Sequence, residues 1–135
     1  MRGMHPLRIA APGRGIVAGT FTTVNGSSPT AVQGRGWSVA RDGEGLWTVT
    51  LTDAVQGFDA IVVTPWMEDL PANGTNENVN CVVDQDSVTT QAFQIELTIT
   101  DDTTGAGGPS ASDEPGTQIS FIAIVRLTSV SDPQP

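Results

Sequence analysis

Apolar and polar residues alternate along this chain with a period of two. In 46–53, Trp47, Val49 and Leu51 fall on one side and Thr48, Thr50 and Thr52 on the other. In 88–100 the apolar set is Phe93, Ile95, Leu97 and Ile99, against Gln94, Glu96, Thr98 and Thr100. Successive side chains of a strand point to opposite faces, so each such run predicts a strand with one buried face. Further extended runs lie at 7–11, 16–24, 37–41, 59–64, 79–83 and 117–128, which brings the predicted strands to about eight. Turn residues separate them: Asn25-Gly26 closes the second run, and Asp42-Gly43-Glu44-Gly45 joins 37–41 to 46–53 as a hairpin. Residues 66–78 and the glycine-rich, acidic 101–116 read as long loops, and no helical periodicity persists for ten residues. The pattern predicts an all-β fold: an antiparallel two-sheet sandwich, jelly-roll-like, at 15–130, with an extended N-terminal arm at 1–14 and a short tail at 131–135. An immunoglobulin-like sandwich lacks the expected pair of cysteines, since the chain has one.

Composition sharpens this. The 135 residues hold 17 Thr, 14 Val and 8 Ile but only 6 Leu, a β-branched excess suited to pleated sheet. The length fits one domain. Nothing resembles a coiled coil, a transmembrane helix or a disulfide scaffold. The first fifteen residues lack the apolar core of a secretory signal, so Asn25-Gly26-Ser27 and Asn73-Gly74-Thr75 are read as turns rather than glycosylation sites.

Net charge is −9, and its placement is uneven. Residues 1–41 carry Arg2, Arg8, Arg14, Arg35 and Arg41 and no acid; the rest carry all fifteen acids and one cation, Arg126. There is no lysine. An acidic chain does not bind nucleic acid by neutralising phosphates, so neither nucleic acid nor a membrane is an expected partner. Either the arginines pair with acids within the fold, or the basic segment docks on an acidic surface of another protein, for which the planar, bidentate guanidinium is suited.

Candidate chemistry is sparse. Cys81, alone in an apolar run, reads as an inert buried thiol. His5 is the single histidine and lies beside Pro6, a poor setting for a nucleophilic site. The acid pairs Glu68/Asp69, Asp84/Asp86, Asp101/Asp102 and Asp113/Glu114 all lie in predicted turns and read as solvated; glycoside hydrolysis would need one such pair in a cleft. The acidic loop lacks the spaced ligand pattern of a calcium site. No cofactor, metal or enzymatic activity is expected. Trp66, entering a loop after Pro65, is a candidate glycan-stacking residue.

The last strand departs from alternation. Ile119, Phe121, Ala123, Val125 and Leu127 face one way, but Ile122 and Ile124 are apolar on the other face, with Ser120 and Arg126. A strand with one solvated face keeps that face polar. Either the segment around Leu7–Ile9 covers it, or another subunit does. Ile122, Ile124 and Arg126 are the candidate subunit-interface residues, and jelly-roll subunits that bury such a strand near a symmetry axis point to a homotrimer.

The segments Gly34-Arg35-Gly36-Trp37-Ser38-Val39-Ala40-Arg41 and Gly43-Glu44-Gly45-Leu46-Trp47-Thr48-Val49-Thr50-Leu51 resemble a glycine-led hairpin of small β-sandwich virion proteins of tailed bacteriophages. The opening residues and the closing SFIAIVRL strand are similar too, and the hairpin also resembles complement- and tumour-necrosis-factor-like trimers. The resemblance covers 1–65 and 117–128 by pattern, and Trp47 stands where tyrosine is usual. It implies a virion structural protein assembled in the host cytoplasm, of capsid decoration (cement) or fibre type, and carries over no catalytic residue. The expected partners are then other copies of the chain and the major capsid protein, with Arg2, Arg8, Arg14, Arg35 and Arg41 as docking residues. A tail or fibre module that binds a host glycan through Trp66 is the alternative.

Overall fold

The computed structural model describes residues 13–29, 32–66, 77–101, 110–113 and 116–127. The two-sheet antiparallel sandwich expected from the strand runs is the observed architecture. Among the described residues nine strands form it: β1 (Arg14–Thr22), β2 (Val32–Gly34), β3 (Trp37–Gly43), β4 (Leu46–Leu51), β5 (Gly57–Trp66), β6 (Glu77–Asp84), β7 (Ala92–Asp101), β8 (Ser110–Ala111) and β9 (Gln118–Arg126). Sheet A has the order β2-β1-β9-β5, and sheet C the order β3-β4-β7-β6, with β8 paired to β7. The first and last long strands are neighbours over their whole length, from Arg14↔Arg126 to Thr22↔Gln118.

The alternation read from the sequence sets which side chains form the core. Trp47, Val49 and Leu51 of β4, Phe93, Ile95 and Leu97 of β7, and Ile119, Phe121, Ala123 and Val125 of β9 are all buried between the sheets. Phe21, Trp37, Phe121, Phe93 and Phe58 make a chain of ring contacts, several edge-on, with centroids 4.9–6.4 Å apart. Trp37 fits only because β1 has no side chain at Gly19, where a Cβ would lie 2.0 Å from the indole.

The structure shifts several boundaries. β1 starts at Arg14, so residue 14 belongs to the sandwich rather than to an arm, and the Leu127 N–H donates to the Gly13 carbonyl. The predicted strand at 7–11 lies outside the described residues. The run expected to begin at Val88 begins at Ala92. Before it, a 3-10 turn spans Gln85–Ser87, and the Thr89 hydroxyl accepts from the N–H groups of Gln91 and Ala92. A threonine that satisfies nearby backbone donors competes with the ladder, and the alternation of side chains does not register this. Two short strands, β2 and β8, were not legible, because two or three residues cannot display a period.

Candidate functional site

The candidate site is the outer face of sheet A, centred on β9. In an antiparallel ladder, directly opposed residues share a face. Ile122 stands between Ala18 of β1 and Val62 of β5, and Ile124 between Ile16 and Ala60. One step further along, Ser120 stands between Thr20 and Thr64, its hydroxyl 2.8 Å from that of Thr20, and beyond it Gln118 stands between Thr22 and Trp66. The middle of this face is aliphatic. Ile122 is 51% exposed, Val62 62% and Trp66 59%. The second apolar face of the last strand is therefore a face of the whole sheet, made by three strands. Exposed apolar side chains standing together make this face the candidate interaction site.

The charged groups of this face gather at one end. The ladder between β5 and β9 shifts register between Phe58 and Ala60, leaving Asp59 in a bulge. Its carboxylate pairs with Arg126 at 3.0 Å and with Arg14, so two cations flank one acid beside Ile124 and Ile16. All three groups are partly solvated, and such pairs contribute about 0–1 kcal/mol each.

The basic segment divides in the fold. Arg14 pairs with Asp59. Arg41 pairs with Asp113: its Nε donates to Oδ1 and Oδ2 at 3.1 Å, and its Nη2 to Oδ2 at 2.9 Å. Arg35 lies in the exposed turn between β2 and β3, and Arg2 and Arg8 lie outside the described residues. Asp113, expected as a solvated turn acid, is instead 4% exposed. It also accepts from the backbone N–H of Gly26 and of Gly45, both at 2.9 Å, and so ties the β1–β2 turn, the β3–β4 turn and the stretch after β8 together. Burial by itself raises the Asp113 pKa; the guanidinium and the two N–H donors outweigh it and bring the value down to about 2. Gly45 has φ +68°, and a Cβ there would lie 2.5 Å from the Leu97 carbonyl oxygen, so this anchor requires glycine.

The remaining candidates separate. Cys81 faces the sandwich interior, half-buried, and burial pushes its thiol pKa up to about 12. Asp84 caps the 3-10 turn by accepting from the Asp86 N–H at 3.0 Å. Glu68, Asp69, Asp102 and Glu114 lie outside the described residues, and among the described residues no cluster of three metal-ligating side chains occurs. Ile122, Ile124 and Arg126, singled out in the sequence, lie on this outer face, whereas Asp59 and Asp113 were not singled out as site residues, their ion-pair partners lying 45 to 72 positions away in the chain. Comparison of the chain with known protein families, curated proteins and solved structures finds no match to any.

Proposed function

We propose that this protein is a structural component of a virion: a capsid decoration protein that associates as a homotrimer and bridges neighbouring capsomers. The observation that supports it foremost is the aliphatic outer face of sheet A, with Ile122, Ile124 and Val62 facing outward on a rigid sheet. Covering each of these side chains stabilises an assembly by roughly 1 kcal/mol or more. The likeness of the 34–51 hairpin and the closing strand to phage virion proteins supplies the setting. In this reading the capsid-docking charges are Arg2, Arg8, Arg14, Arg35 and Arg41, of which Arg14 and Arg41 also hold acids of their own chain.

Electron cryomicroscopy of particles carrying the protein tests this directly. Density on the head lattice in threefold groups is the expected result; density confined to the tail overturns it. Removal of residues 1–12 should abolish capsid binding and leave the oligomer folded, and unchanged binding would remove the arm from the mechanism.

A second reading rests on Trp66, whose exposed indole ends β5 beside Gln118. Aromatic faces stack on sugars, so a tail or fibre module binding a host glycan is the alternative. A glycan array separates the two: signal lost in Trp66→Ala supports the fibre reading.

A further inference from the structure

The turn after β1 carries a chemistry that the strands do not. Val24 and Ser27 bridge to one another, and Asn25 and Gly26 make the two-residue turn between them, both exposed. An asparagine followed by glycine is the dipeptide most prone to deamidation, because no side chain obstructs the glycine nitrogen. In that reaction the Gly26 nitrogen gives up its proton and attacks the side-chain amide carbon of Asn25. The new carbon–nitrogen bond closes a five-membered succinimide, the bond to the side-chain nitrogen breaks, and ammonia leaves. Water then opens the ring at either carbonyl and leaves aspartate or isoaspartate at position 25. The surroundings of Gly26 place no steric barrier in the way: its φ is +70°, and a Cβ there would meet nothing within 4 Å.

The attacking nitrogen is nevertheless engaged. The Gly26 N–H donates to Asp113 Oδ2 at 2.9 Å, and this carboxylate is buried and held from two other sides, by the Arg41 guanidinium and by the Gly45 N–H. The chain on either side of the turn is held too. The Thr23 N–H donates to the Thr117 carbonyl and the Gly116 N–H to the Thr23 carbonyl, and the Ser28 hydroxyl accepts from the Arg41 N–H at 3.0 Å. Arg41 therefore fixes the turn twice, through its backbone and, by way of Asp113, through its side chain.

We infer that Asn25-Gly26 is a latent deamidation site that Asp113 keeps closed by holding the Gly26 N–H. The inference is independent of the virion reading. Two effects act together. Swinging the nitrogen onto the Asn25 side chain breaks a charge-assisted hydrogen bond and leaves a buried carboxylate short of a donor. Removing the proton places negative charge against a carboxylate that is already ionised. Asp113 does not serve as the base for that step, because its low pKa makes it a poor proton acceptor. Asp113 is thus a positioning residue. Once isoaspartate forms, the backbone is longer by one carbon and the Gly26 N–H is displaced from Asp113, so the change loosens the anchor that delayed it.

Peptide mapping of the full chain during incubation in mildly alkaline buffer tests this, with aspartate and isoaspartate at position 25 as the readout. Because the need to break a hydrogen bond to a charged acceptor slows a step by about tenfold or more, Asn25 is expected to convert that much more slowly in the folded wild type than in the same chain unfolded in urea. Asp113→Ala should recover most of that difference while the chain stays folded. Val49→Ala, at a buried position of β4, is the control for lowered stability, and the two variants are compared at matched fractions of unfolded chain. Equal acceleration in both means that conversion follows global unfolding, and overturns the role of Asp113. So does a folded wild type that converts as fast as the unfolded chain. Absence of conversion in the unfolded chain overturns the site itself. Hydrogen exchange of the Gly26 amide in the wild type needs no variant: protection is expected, and exchange at the rate of a free exposed amide overturns the inference.

Discussion

On the outer face of sheet A, Ile16 and Ala18 of β1, Ile122 and Ile124 of β9, and Ala60 and Val62 of β5 stand side by side. On the outer face of sheet C, the corresponding strands present Ser38 and Ala40, Thr48 and Thr50, Gln94 and Glu96, and Asn80 and Asp84. Leu46 and the exposed Val82 are the large aliphatic side chains on that second face, and each stands next to Glu96. Thr48 and Gln94 there both bond to Asp42, so the polar face is also internally linked. Both sheets pack the same core from opposite sides and satisfy the same backbone pattern. Their difference lies only in what occupies the outward positions, and the fold of a single chain does not require isoleucine there. The outer face of sheet C is polar, as suits water; that of sheet A is aliphatic, and the proposed self-association rests on this difference.

The strongest way to break this comparison uses adjacent residues of β9. Phe121→Ala, pointing inward, should cost about 3–5 kcal/mol in denaturant unfolding, because it leaves a cavity among Trp37 and Phe93. Ile122→Ala, pointing outward, should cost the isolated chain no more than about 1 kcal/mol while weakening assembly. Equal losses in the monomer would mean that the outer face is already covered within the chain.

Acid titration probes the Asp113 anchor, which acts at the turns rather than on either face. Its pKa is lower in the folded chain than the ordinary 3.8, so its stabilisation is present above pH 4 and is lost as pH falls toward 2. The expected loss is of order 1–2 kcal/mol over that window, and Asp113→Asn should remove this part of the pH dependence. A wild-type stability that is flat between pH 4 and pH 2 would exclude the anchor as a stabilising element.

Smaller effects sharpen the contrast. Asp59→Asn leaves Arg14 and Arg126 without their shared acid, and should cost about 0.2–1 kcal/mol, diminishing in high salt. Val82→Ser, on the polar outer face of sheet C, should change stability by less than about 0.5 kcal/mol and leave the oligomer mass unchanged. A loss of assembly in Val82→Ser would place the interface on the wrong sheet.

Particular residues show how much was readable in advance. The inward sets on β4, β7 and β9 follow from a period of two, which is a property of extended backbone and needs no tertiary information. The same period exposed Ile122 and Ile124 as apolar side chains on the wrong beat. Their neighbours Ala18, Ala60 and Val62 were not recognised as one patch, because their meeting depends on the pairing of β1 and β5 with β9. Asp113 was misread for a similar reason. Next to Glu114 in a polar stretch it has the local character of a solvated acid, and its burial comes from Arg41, Gly26 and Gly45, all distant in the chain.

The sequence by itself determined the long strands, the residues that would face inward and the presence of a strand too apolar for one solvated face. These are local matters, set by side-chain alternation and by turn residues. The tertiary structure decided which strands became neighbours. That choice assembled an aliphatic face from three strands and split the arginines at 14 and 41 between two separate acids. Strand order depends on long-range packing and on the register of ladders, which no local pattern encodes.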